Sequence, residues 1–111
     1  MEFSEMQRLV SVNSKRYVEK HGIEVTTEFL LLKLMEETGE FAEALGICEE
    51  QCRLDKRIDP AIARDNLQNE LADVMTVVMA IANHLDIDLV AGLENKVFKK
   101  GRRSLEEASK E

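Results

Sequence analysis

Apolar residues recur at intervals of three and four along most of the chain, and no stretch alternates between apolar and polar positions as a half-buried strand does. Four segments carry this spacing, so we expect four helices joined by short turns. They are predicted to run from Ser4 to about Gly22, from Thr26 or Thr27 toward Cys52, from Pro60 to about Leu85, and from Leu89 toward Gly101. The pattern therefore predicts an all-α fold.

Residues that favour the first position of a helix stand at these borders. The run from Ser4 to Gln7 has the form of a capping box, and Asp59 followed by Pro60 fits a cap and a first helical position. The candidate caps are Ser4, Thr26 or Thr27, Asp59 and Asp88.

The length of the chain, 111 residues, fits one domain with one core. We expect that domain to span residues 1–111, with 104–111 as a frayed tail. The second and third predicted helices are apolar on two sides, and a chain this short buries only a modest share of its surface by itself. We therefore expect oligomerisation through helix faces, as a homodimer or a homotetramer.

The chain holds 22 acidic and 15 basic residues and has a formal charge of −7. This balance argues against polymeric DNA or RNA as a partner, and a phosphate substrate would need a cation to offset the repulsion. No stretch has the length of a membrane helix or the apolar region of a signal peptide, so we expect no membrane association and a cytoplasmic location. Cys48 and Cys52 match no zinc or redox spacing and are expected to be reduced.

Carboxylates interrupt the apolar stripes of the second and third helices. Glu37 and Glu40 lie one turn apart on the second helix, and Glu70 and Asp73 repeat the arrangement on the third. Antiparallel packing through these stripes would gather four like charges, which is unfavourable unless a cation lies among them. Oxygen donors without histidine or cysteine suit Mg²⁺, with Mn²⁺ as the alternative.

A di-iron carboxylate centre is the nearest rival metal site. It needs a Glu-x-x-His pair on two helices, and neither His21 nor His84 follows a glutamate at that spacing. Both histidines are instead expected near helix ends, where they would complement the helix dipole.

The run from Leu34 to Ala44, followed by the run from Asn69 to Val74, resembles the Glu-Glu-x-x-Glu … Glu-x-x-Asp signature of MazG-like nucleotide pyrophosphohydrolases. The resemblance continues through Ala82–Leu89 and the basic stretch Lys96–Arg103. It implies an all-α, four-helix antiparallel bundle that uses magnesium to cleave nucleoside triphosphates to a monophosphate and pyrophosphate.

The resemblance also implies roles for individual residues. The expected metal ligands are Glu37, Glu40, Glu70 and Asp73. Glu36 matches the leading glutamate and would hold a further metal ion or orient the attacking water. The expected contacts to the substrate phosphates are Lys96 and Arg102 or Arg103.

Two departures from the family pattern bear on function. The 29 residues between Glu40 and Glu70 predict an extended connection between the two metal-binding helices. The chain has no tryptophan, so the base preference stays open. The resemblance also implies a house-cleaning role, in which the protein removes noncanonical nucleotides. A helical regulatory module that binds metal and nucleotide without turnover is the alternative, and a purely structural bundle is a third reading.

Overall fold

The computed structural model describes residues 1–99, 107 and 109. Its helices are α1, Phe3–His21; α2, Thr27–Cys48; α3, Pro60–Leu85; and α4, Leu89–Leu93. A short 3-10 turn, Leu54–Lys56, lies in the connection between α2 and α3, and a π-helical segment, Glu94–Phe98, directly follows α4. The described residues contain these helices and no strand, so the prediction of an all-α fold is confirmed.

Side-chain caps begin three of the four helices. Thr26 Oγ1 accepts a hydrogen bond from the Phe29 N–H at 3.1 Å, and Asp59 Oδ1 accepts one from the Ala61 N–H at 2.9 Å. Asp88 Oδ1 accepts from the Ala91 N–H at 3.0 Å. These caps satisfy backbone donors that the helix itself leaves unpaired, as the sequence predicted.

The predicted cap of the first helix is wrong. Helix α1 begins at Phe3, and its N-cap, Glu2, makes no side-chain hydrogen bond to the backbone. Ser4 therefore lies inside the first turn rather than at the cap position. At the other end, Gly22 closes α1 with a left-handed backbone (φ 62°), which glycine adopts without strain.

The fourth helix also differs from the prediction of a single helix toward Gly101. The α-helical part ends at Leu93, and the chain widens into the π-helical segment before Lys99. Residues 100–106 lie outside the described part of the chain, and so does the predicted tail 104–111 apart from residues 107 and 109.

Helices α2 and α3 form an antiparallel hairpin that contains the core. The start of α2 lies beside the end of α3, and the end of α2 lies beside the start of α3: one recess brings Leu30 and Ala80 together, and another brings Ile47 and Ala63 together. The buried apolar side chains are Leu30, Ala63, Val77, Met79 and Ala82.

Helix α1 packs against α3 and is tied to its last turns. Gln7 Nε2 donates to Asn83 Oδ1 at 2.9 Å, and Asn83 Nδ2 donates to the Gln7 carbonyl oxygen at 3.2 Å. These two part-buried hydrogen bonds join residues that are 76 positions apart in the chain.

Several large apolar side chains of the hairpin face outward. Leu32 and Met35 on α2 are 66% and 64% exposed, and Leu71 and Met75 on α3 are about half exposed. The second apolar side predicted for these helices is therefore present, and its side chains are exposed within the described part of the chain.

Within the described residues, no single helix is long and apolar enough to cross a bilayer; α3 and the following Leu89–Phe98 segment pass that test only jointly, across a bend of 108°. Cys48 and Cys52 are both half-buried free thiols.

Candidate metal centre

The hairpin brings the predicted carboxylates together around Glu37. One oxygen from each of Glu37, Glu70 and Asp73 lies within 4.8 Å of the others, which joins α2 to α3. The same limit holds for oxygens of Glu36, Glu37 and Glu40 along α2. Glu37 belongs to both groups, so the five carboxylates form one cluster that spans the two helices. We call it the acidic cluster.

Two oxygens of the acidic cluster are buried without a hydrogen-bond donor. Within the described part of the chain, Glu37 Oε2 and Glu70 Oε2 have no partner, and Glu37 as a residue is only 9% exposed. Burying a carboxylate oxygen without a partner is costly, and unpaired buried polar atoms are rare in folded proteins. A bound ligand that accepts these lone pairs would remove the cost.

The electrostatics of Glu37 reflect this crowding. Burial is the main factor that raises the pKa of Glu37 above its ordinary value, and the neighbouring carboxylates of Glu40 and Asp73 raise it further. The Lys33 ammonium opposes the shift without cancelling it. The cluster is therefore short of positive charge.

Lys33 is a member of the site that the sequence interpretation missed. Its Nζ lies 3.4 Å from Glu36 Oε1 and 3.6 Å from Glu37 Oε1. Partial burial alone would lower the pKa of Lys33, but the hydrogen bond and charge of Glu36 and the charge of Glu37 hold it above its ordinary value. The signal was available, because Lys33 precedes these glutamates by three and four residues on one helix.

The acidic cluster fits a hard divalent cation. Its donors are all carboxylate oxygens, with no histidine or cysteine in either described group, and two of those oxygens are buried and unpaired. This donor chemistry suits magnesium or manganese rather than zinc or copper.

Among the basic residues predicted to contact phosphate, Lys96 lies within the described part of the chain. Lys96 is exposed in the π-helical segment and lines neither recess beside the carboxylates. Arg102 and Arg103 lie outside the described residues.

Two recesses open on either side of the acidic cluster. The smaller, of about 310 Å³, is lined by Glu40, Glu43, Glu70 and Asn66 together with apolar residues at the far end of the hairpin. The larger, of about 700 Å³, lies between α1 and the hairpin and includes Glu37, Asp73 and Lys33 in its wall.

Comparison with known families decides the assignment. The family model described as the MazG nucleotide pyrophosphohydrolase domain matches residues 25–106, which is well over half of the chain. The chain belongs to this MazG family. The matched segment includes the whole acidic cluster, and α1 lies outside it. No curated protein matches the chain closely enough to add a relative to the comparison.

Membership supports a hydrolase that acts on nucleotide pyrophosphate bonds. MazG enzymes are typically metal-dependent, and the acidic cluster offers this chain a place for a metal ion. The roles predicted for individual site residues stay predictions at this point.

Proposed function

We propose that this protein is a magnesium-dependent pyrophosphohydrolase that cleaves ribo- or deoxyribonucleoside triphosphates to a monophosphate and pyrophosphate. The observation that carries the proposal is the acidic cluster with its two buried, unpaired oxygens, in a chain that belongs to the MazG family. A cluster of that composition is unfavourable alone and becomes favourable with a divalent cation and a polyphosphate.

Four carboxylates would hold the metal: Glu37, Glu40, Glu70 and Asp73. We propose magnesium as the ion, with manganese as a substitute of similar preference for oxygen donors. Bound there, a divalent cation would neutralise charge on the phosphate oxygens and lower the pKa of a water molecule near the α-phosphate.

The chain would otherwise act by positioning. Glu36 is exposed at the edge of the acidic cluster, where its carboxylate can accept a hydrogen bond from the attacking water and take up its proton. The water oxygen forms a bond to the α-phosphorus while the bond from that phosphorus to the bridging oxygen breaks, and pyrophosphate leaves with the bridging oxygen.

Cationic side chains would complete the site. Lys33 already lies against Glu36 and Glu37, so its ammonium is within reach of a phosphate that approaches the cluster. We retain Lys96, Arg102 and Arg103 as further phosphate contacts, in keeping with the basic stretch that follows the last core helix.

The exposed apolar side of the hairpin supports a homo-oligomer. Leu32 and Met35 on α2, with Leu71 and Met75 on α3, present an apolar area that a monomer leaves in water. We propose that a second copy of the chain covers it, in a dimer or tetramer. The protein would work in the cytoplasm, removing noncanonical nucleotides.

The decisive experiment measures pyrophosphate release from a panel of canonical and modified triphosphates, with magnesium and with chelator. Glu40→Gln should lower release by about 100-fold or more, because it removes one proposed ligand. Glu28→Gln, an exposed glutamate in the first turn of the same helix, is the matched control and should retain full activity.

The alternatives give different results. Nucleotide and magnesium that raise the melting temperature without any release of pyrophosphate would indicate the regulatory module, since a ligand stabilises whatever state it binds. No effect of magnesium on stability, together with no release of pyrophosphate, would refute the metal site and leave a structural bundle.

A further inference from the structure

We propose that the larger recess, between α1 and the α2–α3 hairpin, binds the nucleoside part of the substrate, and that α1 determines which base is preferred. This inference rests on the proposed function for the position of the phosphates. It adds a binding site formed by a helix that the family match does not cover. We call this recess the α1 groove.

The first step is the position of the reacting phosphate. The α-phosphate must lie at the acidic cluster, and the nucleoside is attached directly to it. The nucleoside must therefore enter a space that is continuous with the cluster. Both recesses qualify by position, because Glu37 and Asp73 line the α1 groove while Glu40 and Glu70 line the smaller recess.

The chemistry of the walls separates the two recesses. Each recess has three carboxylates in its wall: Glu40, Glu43 and Glu70 in the smaller recess of about 310 Å³, and Glu19, Glu37 and Asp73 in the α1 groove. The α1 groove measures about 700 Å³, and although many of its lining residues are polar, most of the wall surface that it exposes is apolar, from side chains such as Leu30, Val18 and Val77. Sites for small organic ligands are mostly apolar, span roughly 300–1,000 Å³ and carry a few polar groups that fix orientation. The α1 groove meets these conditions, whereas about half of the wall surface of the smaller recess is polar.

Helix α1 supplies the polar and aromatic side chains of this wall. Asn13 and Ser14 can donate to and accept from the edge of a base. Tyr17 is 49% exposed in the groove, so its ring is available for contact with a planar ligand.

Hydrogen bonds hold α1 against α3 along the groove, and a positive charge lies where the groove meets the acidic cluster. The paired hydrogen bonds between Gln7 and Asn83 hold α1 against α3, and Asn83 itself lines the groove. Lys33 lies where the groove meets the cluster, with its ammonium beside Glu36 and Glu37. A nucleotide would therefore have its base beside α1 and its phosphates beside Lys33 and the metal ligands.

The test compares substitutions that face the groove with substitutions that do not. Asn13→Ala and Tyr17→Leu alter the groove, and Tyr17→Phe keeps the ring. Arg16→Ala and Lys20→Ala are matched controls, since both residues are exposed on α1 and neither lines the groove. Each variant is assayed for kcat and KM with the common ribo- and deoxyribonucleoside triphosphates. Binding of the corresponding monophosphates is measured by calorimetry.

We expect Asn13→Ala to change the ratio of kcat/KM between bases by about tenfold, the effect of one lost hydrogen bond to a ligand. Tyr17→Leu should raise KM for every nucleotide by about tenfold with little change in kcat, and Tyr17→Phe should stay close to the wild type. Arg16→Ala and Lys20→Ala should leave the substrate ranking unchanged.

An unchanged ranking and unchanged monophosphate affinity in Asn13→Ala and Tyr17→Leu would overturn the inference while leaving the hydrolase intact. An unchanged ranking together with a lower mass in solution would assign the groove to a second copy of the chain, and this too would overturn it. If the wild type releases no pyrophosphate, the proposed function fails on its own. If the wild type binds monophosphates and Tyr17→Leu weakens this binding, a nucleoside site is still supported. If the wild type binds no monophosphate, the nucleoside site is overturned.

Discussion

Replacing Asp73 by asparagine should stabilise the metal-free protein while it abolishes the response to magnesium. Asp73 is exposed, and one of its oxygens lies within 4.8 Å of oxygens of Glu37 and Glu70. At that separation two unit charges in a water-like medium repel by about 0.9 kcal/mol. Removing two such repulsions, one of them weakened because the pKa of Glu37 is raised, gives about 1–2 kcal/mol. For a domain of this size the melting temperature should rise by about 4–8 °C.

The assay is thermal unfolding followed by circular dichroism, first in chelator and then in magnesium. Magnesium at a concentration 100 times its dissociation constant should stabilise the wild type by about 2.7 kcal/mol, and it should have little effect on Asp73→Asn. Asp65→Asn is the control, because Asp65 is an exposed aspartate of the same helix outside the acidic cluster. A lower melting temperature for Asp73→Asn in chelator, or an equal rise for Asp65→Asn, would refute the reasoning.

Two further predictions concern acidity and assembly. In chelator, the raised pKa of Glu37 means that its contribution to the free energy of unfolding is greatest below the ordinary pKa of glutamate and is lost as pH rises through the folded-state value. In urea titrations, the free energy of unfolding of Glu37→Gln should therefore fall less between mildly acidic and neutral pH than that of the wild type. An equal fall in the two proteins would contradict this. Met35→Glu, which places a charge on the exposed apolar side of α2, should reduce the mass measured by light scattering to that of a monomer without loss of helix content, whereas Glu28→Gln should not. An unchanged mass would show that this side of α2 does not form the interface between subunits.

The sequence predicted features that depend on local spacing. Caps at Thr26, Asp59 and Asp88 follow from side-chain oxygens next to helical periodicity. The gathering of Glu37 with Glu70 and Asp73 follows from two similar faces on helices that pack antiparallel. In each case the relevant residues lie on one helix or on neighbouring helices.

Features that depend on distant contacts could not be predicted in the same way. The hydrogen bonds between Gln7 and Asn83 join residues that are 76 positions apart in the chain, and no local pattern indicates them. The α1 groove lies between α1 and the hairpin, so its lining also depends on contacts between residues far apart in the chain. The Ser4 cap was wrong because the helix begins at Phe3, which places Ser4 two positions past the N-cap, Glu2.

The hairpin also determines where the chain can tolerate insertions and deletions. Each residue added within α2 or α3 moves the side chains that follow it by 1.5 Å along the axis and by about 100° around it. Such a change between Glu40 and the end of α2, or between the start of α3 and Glu70, would alter packing throughout the hairpin. Magnesium demands oxygen distances near 2.0–2.1 Å and tolerates little displacement. The exposed connection around Leu54–Lys56 can instead lengthen or shorten while the helices keep their register. Length variation among descendants of this sequence should therefore collect in that connection and be excluded from the helical segments on either side.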